Sequence, residues 1–349
     1  MKISLITDTH AGVRLDSEDF LQFQIKFFKE CFFPYLKENN ITTIIHLGDI
    51  FERRKFINFN TLYHWRKEVF EYIDKNFQMY VIQGNHDIYY RDTNKVSALD
   101  ELMLSYQNIS IINEPTVFGL KEWDKKEYIT FIPWMTQENQ QECLDCILSN
   151  QTDTCFGHFE LSGFDYHKGM PSKEGLNSKI FRDYKLVLSG HYHTKSSKGN
   201  ISYLGSPYET TWADYNDQRG FHIFDTETRE LEFIKNPFTI FTRIEYSESK
   251  IDVNNFDYEQ FRGKIVSISV KERTDYNKFE LFQNRIHDTK PIDVLPLDTV
   301  VEIDSTLITN ENIETKELLV DYVMAMSIDQ QIKPKLTDLM MELYSTERE

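Results

Sequence analysis

Short apolar runs that stop at a polar, metal-competent cluster recur along this chain, and they constrain its fold more than any other feature. The clearest is Met79-Tyr80-Val81-Ile82, followed by Gln83 and then Gly84-Asn85-His86-Asp87. An unbroken apolar run of this length is that of a strand buried on both faces, as in a parallel sheet. A turn needs one Asn or Asp, not three polar residues in a row with an imidazole in the middle. Comparable ends are Asp8-x-His10, Gly48-Asp49, Gly157-His158 and Gly190-His191-x-His193. Between them lie stretches with helical spacing of apolar residues, over 19–38, 60–75 and 138–150. Strands alternating with helices predict an α/β fold.

Further strands are expected over 109–112 and 128–132, and three antiparallel strands over 201–204, 220–225 and 230–234 close the domain. The pattern changes near Asn236-Pro237. Strands over 242–246, 265–270 and 299–303 around a helix over 276–287 predict a small α+β domain. From about residue 314 two short helices are expected. The divisions are therefore 1–236, 237–312 and 313–349, an ordinary partition for 349 residues.

Composition narrows the function. The 26 Phe and 19 Tyr supply a large core. No apolar run is long enough to cross a bilayer, so no membrane association is expected, and Met1 leads straight into the first strand with no room for a signal peptide. Four scattered cysteines give no disulfide framework and point to a reducing cytoplasm. Cys143-x-x-Cys146 lies inside a helical stretch with no second pair and reads as helix packing. The net charge of -17 excludes a chain that holds nucleic acid by bulk electrostatics. Any such contact must be local, assisted by metal, or shared with a partner.

In an open α/β sheet, ligands bind beyond the carboxyl ends of the strands. Five polar ends can therefore meet in space, and five of the ten histidines (His10, His86, His158, His191 and His193) lie in them. Carboxylate, imidazole and one amide oxygen make a mixed N/O set suited to manganese, iron or zinc. Seven candidate ligands exceed one ion's needs and fit two ions about 3.5–4 Å apart, the spacing used in phosphoryl displacement. One carboxylate must bridge, and Asp49 is the natural choice. His46, His64, His167, His222 and His287 read as structural or exposed.

Asp8-x-His10, Gly48-Asp49, Gly84-Asn85-His86-Asp87 and Gly190-His191-x-His193, in that order, resemble the motif set of calcineurin-like metallophosphoesterases. Gly48-Asp49-Ile50-Phe51, the Gly205-Ser206-Pro207 stretch and the layout after it resemble the SbcD / meiotic-recombination-eleven DNA-repair nucleases, over about the first two-thirds of the chain. The resemblance implies a β-sandwich flanked by helices, a smaller α+β capping domain and a C-terminal helical pair. It implies a two-metal phosphodiesterase, with Mn²⁺ or alternatively Mg²⁺. The expected activity is exonuclease on duplex DNA and endonuclease on single strands, in recombination, repair and replication. Expected partners are DNA, a second copy in a homodimer and an SbcC-like, SMC-type coiled-coil ATPase. A phosphatase or nucleotidase is the alternative reading; a non-catalytic scaffold would lack ligands, and none is missing.

Carried onto this sequence, the resemblance gives Asp8, His10 and His193 to the first ion, Asn85, His158 and His191 to the second, and Asp49 to both. A hydroxide between the ions would attack phosphorus in line. His86 would stabilise charge on the phosphate or protonate the leaving oxygen, and Asp87 would orient His86. Some relatives carry His just after Gly-Asp-x-Phe; here the residue is Glu52. Arg53, Arg54 and Lys55 follow it, and Lys195 and Lys198 follow another ligand-bearing strand end; all five are candidate phosphate contacts. Stripes of Leu318, Leu319, Tyr322, Val323 and Met326, and of Leu336, Leu339, Met340 and Leu343, would dock the ATPase partner.

Overall fold

The computed structural model describes residues 1–119, 128–149, 151–167, 169–297 and 335. Residues 1–296 form one compact unit and 297–349 a second. The C-terminal helices with their apolar stripes, and the strand expected over 299–303, lie outside the described residues.

Two six-stranded sheets carry the first part of the chain. The first runs in the order Leu231–Lys235, Gly220–Asp225, Lys2–Ile6, Thr43–His46, Gln78–Ile82, Ile109–Ile112. Its last four strands are mutually parallel, and the two at the other edge are antiparallel. The second runs Ser196–Lys198, Ile201–Tyr203, Leu186–Gly190, Thr154–His158, Ile129–Ile132, Thr116–Phe118, with its four central strands parallel. Of the three strands expected to close the domain antiparallel, Ile201–Tyr203 departs. A turn at Gly199-Asn200 folds it back on Ser196–Lys198, which sets it beside Leu186–Gly190 in the same direction.

Alternation of side chains along each strand sorts the core into layers. Ile3, Leu5, Ile45 and Ile82 face Phe131, Phe156 and Leu188 of the other sheet, whereas Ile6, Ile44 and Val81 face helices. The outer helical layer on the first sheet is aromatic, built from Phe27, Phe28, Phe32, Phe33 and Trp65. Behind the second sheet, Cys143 and Ile147 of the Gln140–Ser149 helix pack on Cys155 and Val187. Cys143 is fully buried and the thiols are free, as helix packing requires. The helix expected over 19–38 continues through Pro34, because a π turn at Phe28–Phe32 joins Glu18–Phe27 to Phe33–Glu38. The proline ring would otherwise press on the carbonyl four residues back.

The strands Phe241–Ser247, Ile265–Glu272 and Asp293–Leu297 form a separate three-stranded sheet. The helix Tyr276–Asp288, capped by the Asp275 carboxylate on the amides of Asn277 and Lys278, covers it. Phe279, Phe282 and Ile286 of the helix meet Tyr246, Val266 and Ile268 in a core of their own. No helix among the described residues is long and apolar enough to cross a membrane.

Candidate metal centre

Three adjacent parallel strands of the first sheet end at Asp8 and His10, at Asp49, and at Asn85 to Asp87. Two adjacent parallel strands of the second end at His158 and at His191 and His193. The connections after these strands bend sharply. Asp8, His10, Asp49 and His191 all have left-handed backbones, with φ of 52°, 44°, 58° and 87°. Such residues are uncommon outside glycine and gather at functional sites, where the surroundings hold the strain. The glycines before the ligands serve close approach. A Cβ on Gly84 would lie 2.2 Å from Asp49 Oδ1 and 2.3 Å from the Asp49 amide nitrogen. One on Gly48, at φ 102°, would lie 2.4 Å from His158 Nδ1.

The expected ligand atoms fall into two clusters, Asp8-His10-His193 and Asp49-His158-His191, and a third group of metal-competent side chains, His10-Glu52-His86, shares His10 with the first. In the first, the Nε2 atoms of His10 and His193 are 2.9 Å apart, and each is 4.0 Å from Asp8 Oδ1. A point equidistant from these three atoms is about 2.1 Å from each, within the roughly 2.0–2.2 Å of bonds from such atoms to zinc. In the second, Asn85 Oδ1 lies 3.0 Å from His158 Nε2 and 2.9 Å from His191 Nδ1, and Asp49 Oδ2 lies 3.3 Å from His158 Nε2. His158 Nδ1 sits 2.7 Å from the Leu47 carbonyl oxygen, so its proton is donated there. Its Nε2 then turns a lone pair toward two oxygens that also carry lone pairs. A cation or an extra proton relieves that arrangement.

Without metal, protons take that place. Burial opposes charge on His158, but Asp49 and Asp8 outweigh it and push His158 up to about 9. Burial likewise opposes charge on His10, and Glu52, Asp49 and Asp8 push it up to about 9. Burial and the charge of His158 pull His191 down to about 3, and burial and His10 hold His193 well below the usual range. Each cluster thus keeps one protonated and one neutral imidazole. Burial alone would raise Asp49, yet His158, His86 and His10 hold it well below the usual carboxylate range. The donor set therefore fits two divalent cations, one per cluster, with oxygen and nitrogen ligands and no thiolate.

His86 is half-buried at the mouth, with its amide donating to Asp49 Oδ1 at 2.7 Å. The expectation that Asp87 orients its ring is corrected by the structure. Both Asp87 oxygens are occupied by backbone amides: those of Asp49 and Gly84 on Oδ2, those of Ile50 and Phe51 on Oδ1. The turn at Gly84 aims the carboxylate inward, under the loop that carries Asp49. His86 Nδ1 instead lies 2.5 Å from the carbonyl oxygen of Glu52. The Glu52 carboxylate reaches His10 Nδ1 at 2.8 Å. The position that departs from the motif thus holds one ligand by its side chain and His86 by its backbone.

The five basic candidates separate. Arg53 pairs with Asp16 at 3.1 Å, Lys195 stacks over the Phe233 ring, and Lys198 donates to the Gly163 carbonyl at 2.7 Å. Lys55 is exposed. Arg54 is half-buried, its Nη1 buried and without a hydrogen-bond partner among the described residues, and burial lowers its pKa while Asp49 raises it. Residues not singled out in the sequence complete the setting. Thr7 Oγ1 donates to Asp8 Oδ2 at 2.6 Å. The buried Arg219 ties the His193 carbonyl to Ser206, Asp214 and Asp217. The Ser206 amide donates to that same carbonyl at 3.1 Å, which gives the Gly205-Ser206-Pro207 stretch a physical task. His46 is buried against Thr9 and the Gly48 amide, a structural histidine as expected.

Comparison with known proteins gives the chain's family. The family model described as calcineurin-like phosphoesterase matches residues 1–195. "Exonuclease subunit 1" of Enterobacteria phage T4 is 37% identical over 322 residues, covering 91% of this chain and 90% of that protein. A subunit of the SbcCD nuclease of Staphylococcus epidermidis is 23% identical over 323 residues, covering 84% of this chain and 81% of that protein.

Proposed function

The chain belongs to the calcineurin-like phosphoesterase family, and on that premise we propose that its site hydrolyses phosphodiester bonds in DNA. Two nitrogen-and-oxygen clusters, Asp8-His10-His193 and Asp49-His158-His191, with the half-buried His86 donating its amide to Asp49, carry the reading. The relatives named as nuclease subunits match along nearly the whole chain, beyond the 195 residues of the shared domain, and this favours DNA over a small phosphomonoester.

Asp8, His10 and His193 would hold one ion and Asn85, His158 and His191 the other, with Asp49 facing both. Bound there, divalent ions supply Lewis acidity and lower the pKa of water toward neutrality. The protein's own residues do the rest. The Leu47 carbonyl fixes the His158 tautomer, and the Glu52 carboxylate lies 2.8 Å from His10 Nδ1, which leaves the Nε2 of each ring to face a cation. With Nδ1 donating to Glu52, His86 exchanges a proton through Nε2. It passes that proton to the leaving oxygen as the P–O bond breaks. Arg54, whose Nη1 has no hydrogen-bond partner among the described residues, is the basic group best suited to meet a phosphate.

Mn²⁺ is the metal proposed, with Mg²⁺ as substitute. The chain is one subunit of a cytoplasmic nuclease complex, as a homodimer with an SMC-type ATPase that docks on the C-terminal segment after about residue 312. Purified chain with Mn²⁺ is expected to degrade linear duplex DNA and cut single strands. His86→Ala is expected to abolish both while Mn²⁺ binding, measured by calorimetry, survives. Wild type that hydrolyses p-nitrophenyl phosphate or nucleotides but leaves DNA intact would refute the reading.

A further inference from the structure

Trp134 stands beside the second cluster, and neither the sequence motifs nor the chemistry above uses it. Its ring centroid is 5.0 Å from that of His191 and 5.8 Å from that of His158. The residue follows Pro133 and is pinned on both sides: its amide donates to the Gln83 carbonyl at 2.8 Å, and its carbonyl accepts from Asn139 Nδ2 at 3.1 Å. Asn139 is fixed in turn by the Thr136 amide at 2.7 Å. The indole is thus a rigid, half-exposed ring held next to two metal-ligand imidazoles.

A cavity of about 300 Å³ opens against it, lined also by His158, Met135, Leu176, Gln140 and Glu160. That is the small end of the range for ligand sites, roughly 300–1,000 Å³. Its chemistry selects an occupant. Among the described residues the lining contains Glu160 and neither lysine nor arginine, which disfavours a second phosphate. An aromatic ring, two apolar side chains and an amide suit a flat, uncharged heterocycle with polar edges. The cavity shares His158 with the second cluster, so a ring seated in it would lie beside a phosphate bound there.

We propose that this cavity receives the nucleobase next to the scissile phosphate, stacked on Trp134, with Gln140 and Glu160 at its polar edge. The inference rests on the DNA reading of the site. A base stacked on an aromatic ring is held whatever its identity, because every base presents a π face. The pocket therefore grips an unpaired strand without reading sequence. It also requires the base to leave its stack, so a single strand or frayed end enters more readily than intact duplex.

The test compares two phosphodiesters under Mn²⁺: a single-stranded oligonucleotide, and methyl p-nitrophenyl phosphate, which carries no base. Trp134→Ala is expected to lower the ratio of kcat/KM for the oligonucleotide to that for the small diester by roughly 5–150-fold, the worth of one stacking contact. Trp134→Phe is expected to recover most of the ratio. A ratio within twofold of wild type in Trp134→Ala overturns the inference, including the case where both activities fall together because the ring only supports His191. Wild type that hydrolyses the small diester but not the oligonucleotide overturns the DNA reading and this inference with it. Wild type active on both, with an unmoved ratio in the variant, overturns the inference alone.

Discussion

Asp87→Asn tests how the loop that carries Asp49 is held. Asp87 is fully buried and accepts four backbone amides, those of Asp49 and Gly84 at 2.9 Å each on one oxygen, and those of Ile50 and Phe51 at 3.0 and 3.1 Å on the other. Asparagine keeps the size but puts an NH₂ where two N–H groups now find an acceptor. Whichever oxygen is replaced, two buried donors are left unmet, at about 1–3 kcal/mol each. The gross loss is therefore roughly 2–6 kcal/mol. Relief of repulsion from Asp49 offsets part of it, since burial and Asp49 push Asp87 up to about 6. A net loss of roughly 2–4 kcal/mol remains. With an unfolding entropy near 2.1 cal/mol/K per residue, spread over the 296 residues of the unit, that lowers Tm by roughly 3–6 °C. Calorimetric melting of the metal-free chain measures it. The same variant loosens the loop under Asp49, so Mn²⁺ affinity should fall by roughly 10–100-fold, as for other groups that support metal ligands. A Tm within 1 °C of wild type together with unchanged Mn²⁺ affinity would refute the role given to Asp87.

Proton linkage makes the next prediction. His10 and His158 are raised to about 9 from 6.5, so their contribution to metal-free stability is full below pH 6.5 and is lost as pH rises through 9. His46 and His191 are lowered to about 3, so theirs is present above 6.5 and is lost as pH falls toward 3. As far as these four groups decide it, metal-free stability peaks near pH 6.5. Cation binding displaces the protons on His10 and His158, so affinity rises from pH 6.5 to 9, by up to about tenfold per proton per pH unit. Titration calorimetry in buffers of different ionisation heat should detect proton release, and none at pH 7.5 would contradict the assignment. Glu52→Gln removes the charge beside His10 but keeps the backbone carbonyl that holds His86. Mn²⁺ affinity should fall by roughly tenfold while kcat at saturating Mn²⁺ stays within a few-fold; unchanged affinity would dismiss the contact as incidental.

That these side chains meet was legible because each follows a short buried strand, and burial writes itself into sequence as an apolar run. The glycines were legible as an oddity, but their cause, the closeness of Asp49 and His158, belongs to other strands. Asp87 was misread because it adjoins His86 in sequence, whereas the turn sends its carboxylate to residues 49–51, more than thirty positions away. Glu52 was visible only as a departure, since nothing local says that it reaches back to His10. Lys195 and Lys198 looked equivalent to Arg54. What separates them, the Phe233 ring and the Gly163 carbonyl, comes from distant segments. The left-handed backbones of Asp8, His10, Asp49 and His191 leave no trace in composition at all.

The two sheets meet at the site, and that has a mechanical consequence. The first cluster takes Asp8 and His10 from one sheet and His193 from the other; the second combines Asp49 with His158 and His191. Each cation would therefore staple one sheet to the other at the end of the sandwich where the apolar layer between them runs out. Chelation would remove both staples while leaving Ile3, Leu5, Phe131 and Phe156 packed behind them. The metal-free chain should stay folded but open first at this edge. Amide exchange there would speed up on adding chelator, while the central strands would hold their protons as before.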